Sequence, residues 1–234
     1  MRGRGFVSKA LALTGRRSER QGDEVSGRTI AGWYFRKGAG PAVRGTLRAV
    51  TLGAVRWPFF MGKRTKILYA RQLHVGRAVQ IGFDSYLNAF SEEGVHLAAN
   101  VTLREHAWVQ CSSHPSDPGV GLWIGQDTYI GPYSVIGVGG PIRIGRACQF
   151  GAHVTLIAEN HAVADGTVSA EQVTRQGIVI NDGCWLGHGV TILDGVTLGE
   201  GCVVGAASVV TRSFAPGSRI AGSPARNLDG PREG

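Results

Sequence analysis

Between Ile180 and Thr211 an aliphatic residue returns every six positions: Ile180, Leu186, Ile192, Leu198, Val204 and Val210. A six-residue period fits neither the ~3.6-residue turn of an α-helix nor the about two-residue alternation of a long strand. It fits a solenoid in which each hexad is one short strand plus one turn, stacked coil upon coil. Gly183, Gly189, Gly195 and Gly201 share the fourth hexad position, where a tight corner needs positive φ. The fifth position is small: Cys184, Val190, Val196, Cys202 and Ser208. Large and small inward residues thus alternate, as filling a narrow prism requires.

The pattern extends upstream. Ile124, Ile130 and Ile136 form one set, and Ile144, Phe150 and Leu156 another, with Thr128, Ser134, Cys148 and Val154 at the small position. Weaker hexads start at Val75, Ile81 and Leu87, then at Leu97, Leu103 and Val109. Residues 72–226 therefore read as one repeat domain, followed by a short tail over 227–234. Two loops interrupt it, at 111–123 and 157–177, and interruptions on a stiff scaffold are where function collects. Leu156 and Ile180 are 24 residues apart, so the second loop leaves and rejoins in register.

Cys148, Cys184 and Cys202 occupy the small inward position and read as packing residues, while Cys111 is off register and reads as a loop thiol. There is no C-x-x-C spacing and no disulfide framework, which points to a reducing cytosol. No apolar run reaches the ~18 residues needed to span a bilayer, and the N-terminus does not read as a signal peptide.

Charge is uneven. Residues 1–71 hold 16 Lys and Arg against 3 Asp and Glu; the remainder holds 9 against 14. This basic segment is expected to be partly flexible, with an amphipathic helix at about 41–57 whose stripe is Val43, Leu47, Val50, Ala54 and Trp57. Two roles are open for it. It covers the apolar end that every solenoid exposes, or it rests on an anionic membrane. No nucleic-acid recognition motif accompanies the basic clusters, so no nucleic-acid partner is expected.

The second loop holds Glu159-Asn160-His161, and His161 precedes Trp185 of Cys184-Trp185-Leu186-Gly187 by 24 residues. Downstream come Gly205 through Pro216 and then Gly222-Ser223-Pro224-Ala225-Arg226. On these motifs the chain resembles the hexapeptide-repeat acyltransferases, of the sugar and polysaccharide O-acetyltransferase type. The resemblance implies an all-β fold, a left-handed parallel β-helix. It implies homotrimers with active sites between subunits, acetyl-CoA or another acyl-CoA as co-substrate, a saccharide acceptor and no metal. Carried over residue by residue, His161 is the catalytic base. Gly187, Ala206, Thr211, Arg212, Arg226 and Trp185 would contact coenzyme A, Gly187 also offering its N–H to an oxyanion. His114, Glu159, Asn160 and Asp165 are candidates for the acceptor pocket, with Glu159 or Asp165 orienting the imidazole, and His188 lies near the pantetheine path.

The chemistry asked of His161 is plain. An acceptor hydroxyl needs a base as it attacks a thioester, and a neutral imidazole titrates close enough to neutrality to serve. One departure stands out: Gly131-Pro132-Tyr133-Ser134 offers no acceptor-binding Asn where the sugar acetyltransferases carry one. The acceptor sugar, the acyl length and an amine acceptor all stay open. A non-catalytic β-helix scaffold is the rival reading. The γ-class carbonic anhydrases share this fold, but no two histidines here have their ligand spacing. The location expected is cytoplasmic, or peripheral at the inner face of the membrane.

Overall fold

The computed structural model describes residues 32, 38–111, 114, 116–164 and 167–228, and within 162–172 the backbone alone. The basic stretch 1–28, Asp165 and the end of the tail, 229–234, lie outside the described residues.

Strands of two to four residues alternate with tight turns and gather into three parallel sheets, the faces of a prism. The first face runs from Ala54–Val55 to Thr197–Leu198, the second from Phe59–Met61 to Arg219–Gly222, and the third from Lys66–Leu68 to Val209–Val210. Each strand pairs with its equivalent one coil away, so like residues stack. On the first face Val75, Leu97, Ile124, Ile144, Ile180 and Leu198 form one buried column. The third face stacks Leu87, Val109, Ile136, Leu156, Ile192 and Val210 the same way. Inward hydroxyls are satisfied by turn carbonyls: Ser134 donates to Gly131 at 2.9 Å and Ser208 to Gly205 at 2.7 Å. The three inward thiols do likewise, Cys148 to Asn181, Cys184 to Gly199 and Cys202 to Ala215. An antiparallel hairpin, Arg219–Gly222 with Ala225–Asn227, closes the C-terminal end.

Two boundaries differ from the sequence expectation. The solenoid begins near residue 54, not 72, because Val55, Met61 and Ile67 pair with Val75, Ile81 and Leu87 and complete a first coil. Those three also recur every six residues, but Phe59 fills the inward slot where later hexads carry a small residue. The helix, α1, spans only Gly40–Ala49. Ala54 is claimed by the first face and Trp57 by the turn that follows it.

Of the two roles left open for the helix, its seating favours the one in which the stripe stays off the prism. It packs on the first coil through Gly45, where a Cβ would come within 2.0 Å of the Phe59 carbonyl oxygen. Arg44 Nε donates to the Met61 carbonyl at 2.9 Å and Arg48 Nη2 to that of Ile67 at 2.8 Å. The apolar stripe faces away: Val43, Leu47 and Val50 are 60%, 72% and 88% exposed.

Both interruptions leave from the edge where the third face turns into the first. One follows the third-face strand Trp108–Gln110 and returns at Leu122–Ile124; the other follows Thr155–Ile157 and returns at Ile178–Ile180. The second contains an antiparallel hairpin, Asn160–Ala164 with Thr167–Thr174, in which His161 pairs with Val173.

Candidate active site

The two loops are tied together by one side chain. Arg175, at the foot of the second loop, donates Nη1 and Nη2 to the two carboxylate oxygens of Asp117 in the first loop, at 2.6 and 2.5 Å. Its Nε reaches Glu159 Oε2 at 2.7 Å. The other Glu159 oxygen lies 3.6 Å from His161 Nε2, an ion-pair separation longer than a hydrogen bond. A line of charge therefore runs from Asp117 through Arg175 and Glu159 to His161, whose ring is 47% exposed. The guanidinium fork suits two carboxylates because its donors are fixed in one plane. Hydrogen bonding from Arg175 holds Asp117 below the usual carboxylate range, and Asp117 in turn raises the guanidinium's affinity for its proton.

The backbone makes room for this array. A Cβ on Gly139 would lie 2.6 Å from Glu159 Oε2, and one on Gly119 would lie 2.0 Å from the Cys111 carbonyl oxygen. At the root of the second loop Asp194 accepts the N–H groups of Gln176 and Gly177 at 3.0 and 2.7 Å, which fixes where Arg175 starts. A cavity of about 140 Å³ opens beside the array, bounded by Gln110, Gly137, Ile157, Glu159, Arg175 and Asp117. Cys111 lines it too, but burial pushes its thiol up to about 12, so it is no nucleophile at neutral pH.

The candidates from sequence divide by position. His161 and Glu159 meet in the array. Asn160 begins the hairpin and is exposed. His114 sits in the first loop, where its Nδ1 takes the Ser116 N–H at 3.2 Å and Asp117 N–H bonds its carbonyl at 3.1 Å. Thr211 and Arg212 follow the last third-face strand, on the same edge as the loops; the Arg212 guanidinium lies over the Phe214 ring at 5.3 Å. Gly187, His188 and Ala206 are on the opposite edge of the third face, where it joins the second. Trp185 projects from the second face, and Arg226 from the closing hairpin beside it. Within one chain these residues do not surround His161. Gly187 is packed against Ala206, and its N–H is already given to the Val204 carbonyl at 2.8 Å. The role of oxyanion donor expected for it is therefore corrected: the ladder between coils consumes that donor. Asp117, Arg175 and Asp194 were not among the residues picked from sequence. The signal of the first two was an acid and a base placed in the two interruptions, visible only once the loops are known to touch; Asp194 stands in a coil turn outside both. Among the described residues no group of three or more His, Cys, Asp or Glu converges as a metal site would require.

The fold is a three-sided parallel solenoid of hexads with loops standing off one edge. Residues 177–212 match the family model described as bacterial transferase hexapeptide, six repeats. No curated protein sequence matches the chain. Among solved structures, a mutant of AntD, an N-acyltransferase from Bacillus cereus, in complex with dTDP-4-amino-4,6-dideoxyglucose and coenzyme A, superposes with a TM-score of 0.53 at 16% identity, over 79% of this chain and 87% of that one. AntD in complex with dTDP and 3-hydroxybutyryl-CoA gives 0.51 at 15% identity, over 79% and 86%. A maltose O-acetyltransferase from Clostridium difficile 630 overlaps less closely, with a TM-score of 0.44 at 17% identity over 97% and 84%. At such identities the likeness establishes the fold, a left-handed parallel β-helix.

Proposed function

We propose that the chain is an acyl-CoA-dependent acyltransferase that moves an acyl group, most simply acetyl, onto a saccharide hydroxyl, with His161 as the base. The observation that carries this reading is the array His161–Glu159–Arg175–Asp117, built where two loops leave an otherwise regular solenoid and beside an open cavity. In the step proposed, an imidazole nitrogen of His161 takes the hydroxyl proton as the oxygen attacks the thioester carbonyl. The tetrahedral adduct collapses, the C–S bond breaks, and the imidazolium returns the proton to the departing thiolate. Glu159 faces the ring at Nε2 and stabilises the transient cation; Nδ1 is then the nitrogen left for the proton. Positioning by a stiff scaffold supplies much of the remaining acceleration.

The third face supports a shared site. Leu68, Trp108 and Val135 are exposed on its outer surface, with Ile157, Leu193 and Val209 partly so. The edge bearing His161 flanks it on one side and the edge bearing Gly187, His188 and Ala206 on the other. A three-fold ring that buries this face brings one edge of each copy against the opposite edge of the next. The coenzyme would then lie along Gly187 and Ala206 of one copy, its thioester reaching the next copy's His161, with Thr211, Arg212 and Arg226 nearby.

The test is calorimetric titration of the full chain with acetyl-, succinyl- and octanoyl-CoA and free CoA, followed by thiol release in the presence of hydroxyl and amine sugars. His161→Asn should lower transfer by roughly 10²–10⁴-fold while leaving CoA affinity within twofold. Loss of both together would make the loop structural. No CoA binding at millimolar ligand would leave the scaffold reading, and transfer only to amines would move the acceptor class.

A further inference from the structure

We infer that the N-terminal end of the prism docks onto an anionic phospholipid bilayer, with Val43, Leu47, Val50 and Trp57 entering the boundary between headgroups and acyl chains. The observation behind this is the orientation of α1. A helix whose purpose is to cover the solenoid end would turn its apolar stripe onto the first coil. Here Gly45 and the arginines take that side, and Arg44 and Arg48 are spent on carbonyls of the first coil. The stripe is left outward, and Trp57, itself 68% exposed, folds back beside it, its indole N–H 3.4 Å from Thr46 Oγ1. Thr46 lies between Val43, Leu47 and Val50 at helical spacing, so the four apolar groups form one patch. Tyr69, on the same first coil, is exposed as well.

Charge decides the occupant. Residues 38–77 carry eight Lys and Arg and no Asp or Glu. With Arg44 and Arg48 turned inward, Arg56, Lys63, Lys66, Arg71 and Arg77 remain in the first two coils, at the same end of the prism as the patch, and Arg64 is neutralised by Asp84. A second copy docking patch to patch would set like charges against each other. A soluble polyanion would answer the cations and leave the apolar groups in water. An anionic bilayer answers both, because its surface potential attracts the basic rim while the apolar face enters the interface. A tryptophan suits that boundary, its ring being amphipathic.

The experiment is co-sedimentation of the full chain with phosphatidylglycerol/phosphatidylcholine vesicles and with pure phosphatidylcholine vesicles, at low and high salt. The wild type should bind the anionic vesicles, weaken with salt and leave the neutral ones. Leu47→Gln with Val50→Gln should lower the partition coefficient ~10-fold or more at unchanged melting temperature, and Trp57→Phe should remove a blue shift of tryptophan emission on vesicle addition. Leu228→Gln, exposed at the far end, is the control and should bind as wild type. Equal binding by the double variant, or equal binding to neutral vesicles, overturns the inference. So does a lowered melting temperature or a changed sedimentation coefficient in the double variant, since the patch would then be covered by the chain itself or by a second copy.

Discussion

Removing the fork at Arg175 should loosen the second loop without unfolding the solenoid. Arg175→Met deletes the bidentate contact to Asp117 and the bond to Glu159. Hydrogen bonds to charged groups are worth ~1.5–3 kcal/mol when well buried. These are not well buried: the side chains of Arg175, Glu159 and Asp117 are 26%, 30% and 57% exposed. Exposed pairs measure ~0.2–1 kcal/mol each, so two partly screened pairs sum to roughly 0.4–2 kcal/mol of local stability, or a factor of about 2–30 in the opening equilibrium. Amide hydrogen exchange reads this directly. The hairpin amides around His161 and Val173 should exchange faster by about that factor, while the coil strands keep their protection. Arg175→Lys, which keeps the charge but not the fork, should fall between. Acid should mimic the deletion. Asp117 titrates below its unfolded value of about 3.9, so its contribution is complete above that pH and is lost as pH falls through the lower folded value. The Met variant should show no such acid step. Unchanged hairpin exchange, or exchange raised equally across every coil, would refute the assignment of Arg175 as the tie between the loops.

The remaining predictions concern the scaffold. Ile192→Ala removes a fully buried member of the third-face column and should cost ~2–5 kcal/mol, a fall of roughly 4–20 °C in melting temperature; a fall under 2 °C would mean that the column is not tightly packed. Gly45→Ala sets a methyl against the Phe59 carbonyl and should cost about 1–3 kcal/mol, and a neutral result by thermal melting would contradict the seating of α1. The four thiols should be silent toward a disulfide reagent at pH 8 in the native state and all react in guanidinium, because Cys111 is buried with its thiol pushed up to about 12 and the other three donate to carbonyls. Fast reaction of any one in the folded protein counts against that packing.

The fold was legible where glycine held the corners and fainter where it did not. Gly183, Gly189, Gly195 and Gly201 all adopt positive φ, as the fourth hexad position demanded. Upstream the same corner falls to Asp84, His106, Tyr133 and His153, none of them β-branched, which pay a modest steric cost for the left-handed conformation. The corner is built alike in both halves, but only one half announces it by residue type. The family model matches 177–212, the stretch that holds these four glycines. The first coil was missed because Phe59 occupies a slot that the hexad rule reserves for a small residue. A truncation at residue 71 would therefore remove a whole coil and open the core beneath it.

The site was legible as a histidine and a glutamate, and not as an array, because a hexad ladder fixes neighbours only within the coils. What a loop touches depends on how far it reaches back along an edge, and that is written in no local period. Arg175 and Asp117 are 58 positions apart yet share two hydrogen bonds. The helix poses the opposite case. Its 3.6-type spacing was legible, and which way the apolar stripe faces was left open between the solenoid end and a membrane. Periodicity states that one side of a helix differs from the other. Which side is buried is decided by what the partner offers, and the first coil offers backbone carbonyls at Met61 and Ile67 and a close approach at Phe59. Arginine and glycine answer those needs better than valine and leucine do. An exposed stripe on a docked helix therefore has a cause in the coil beneath it, and what the stripe meets has to come from outside the prism.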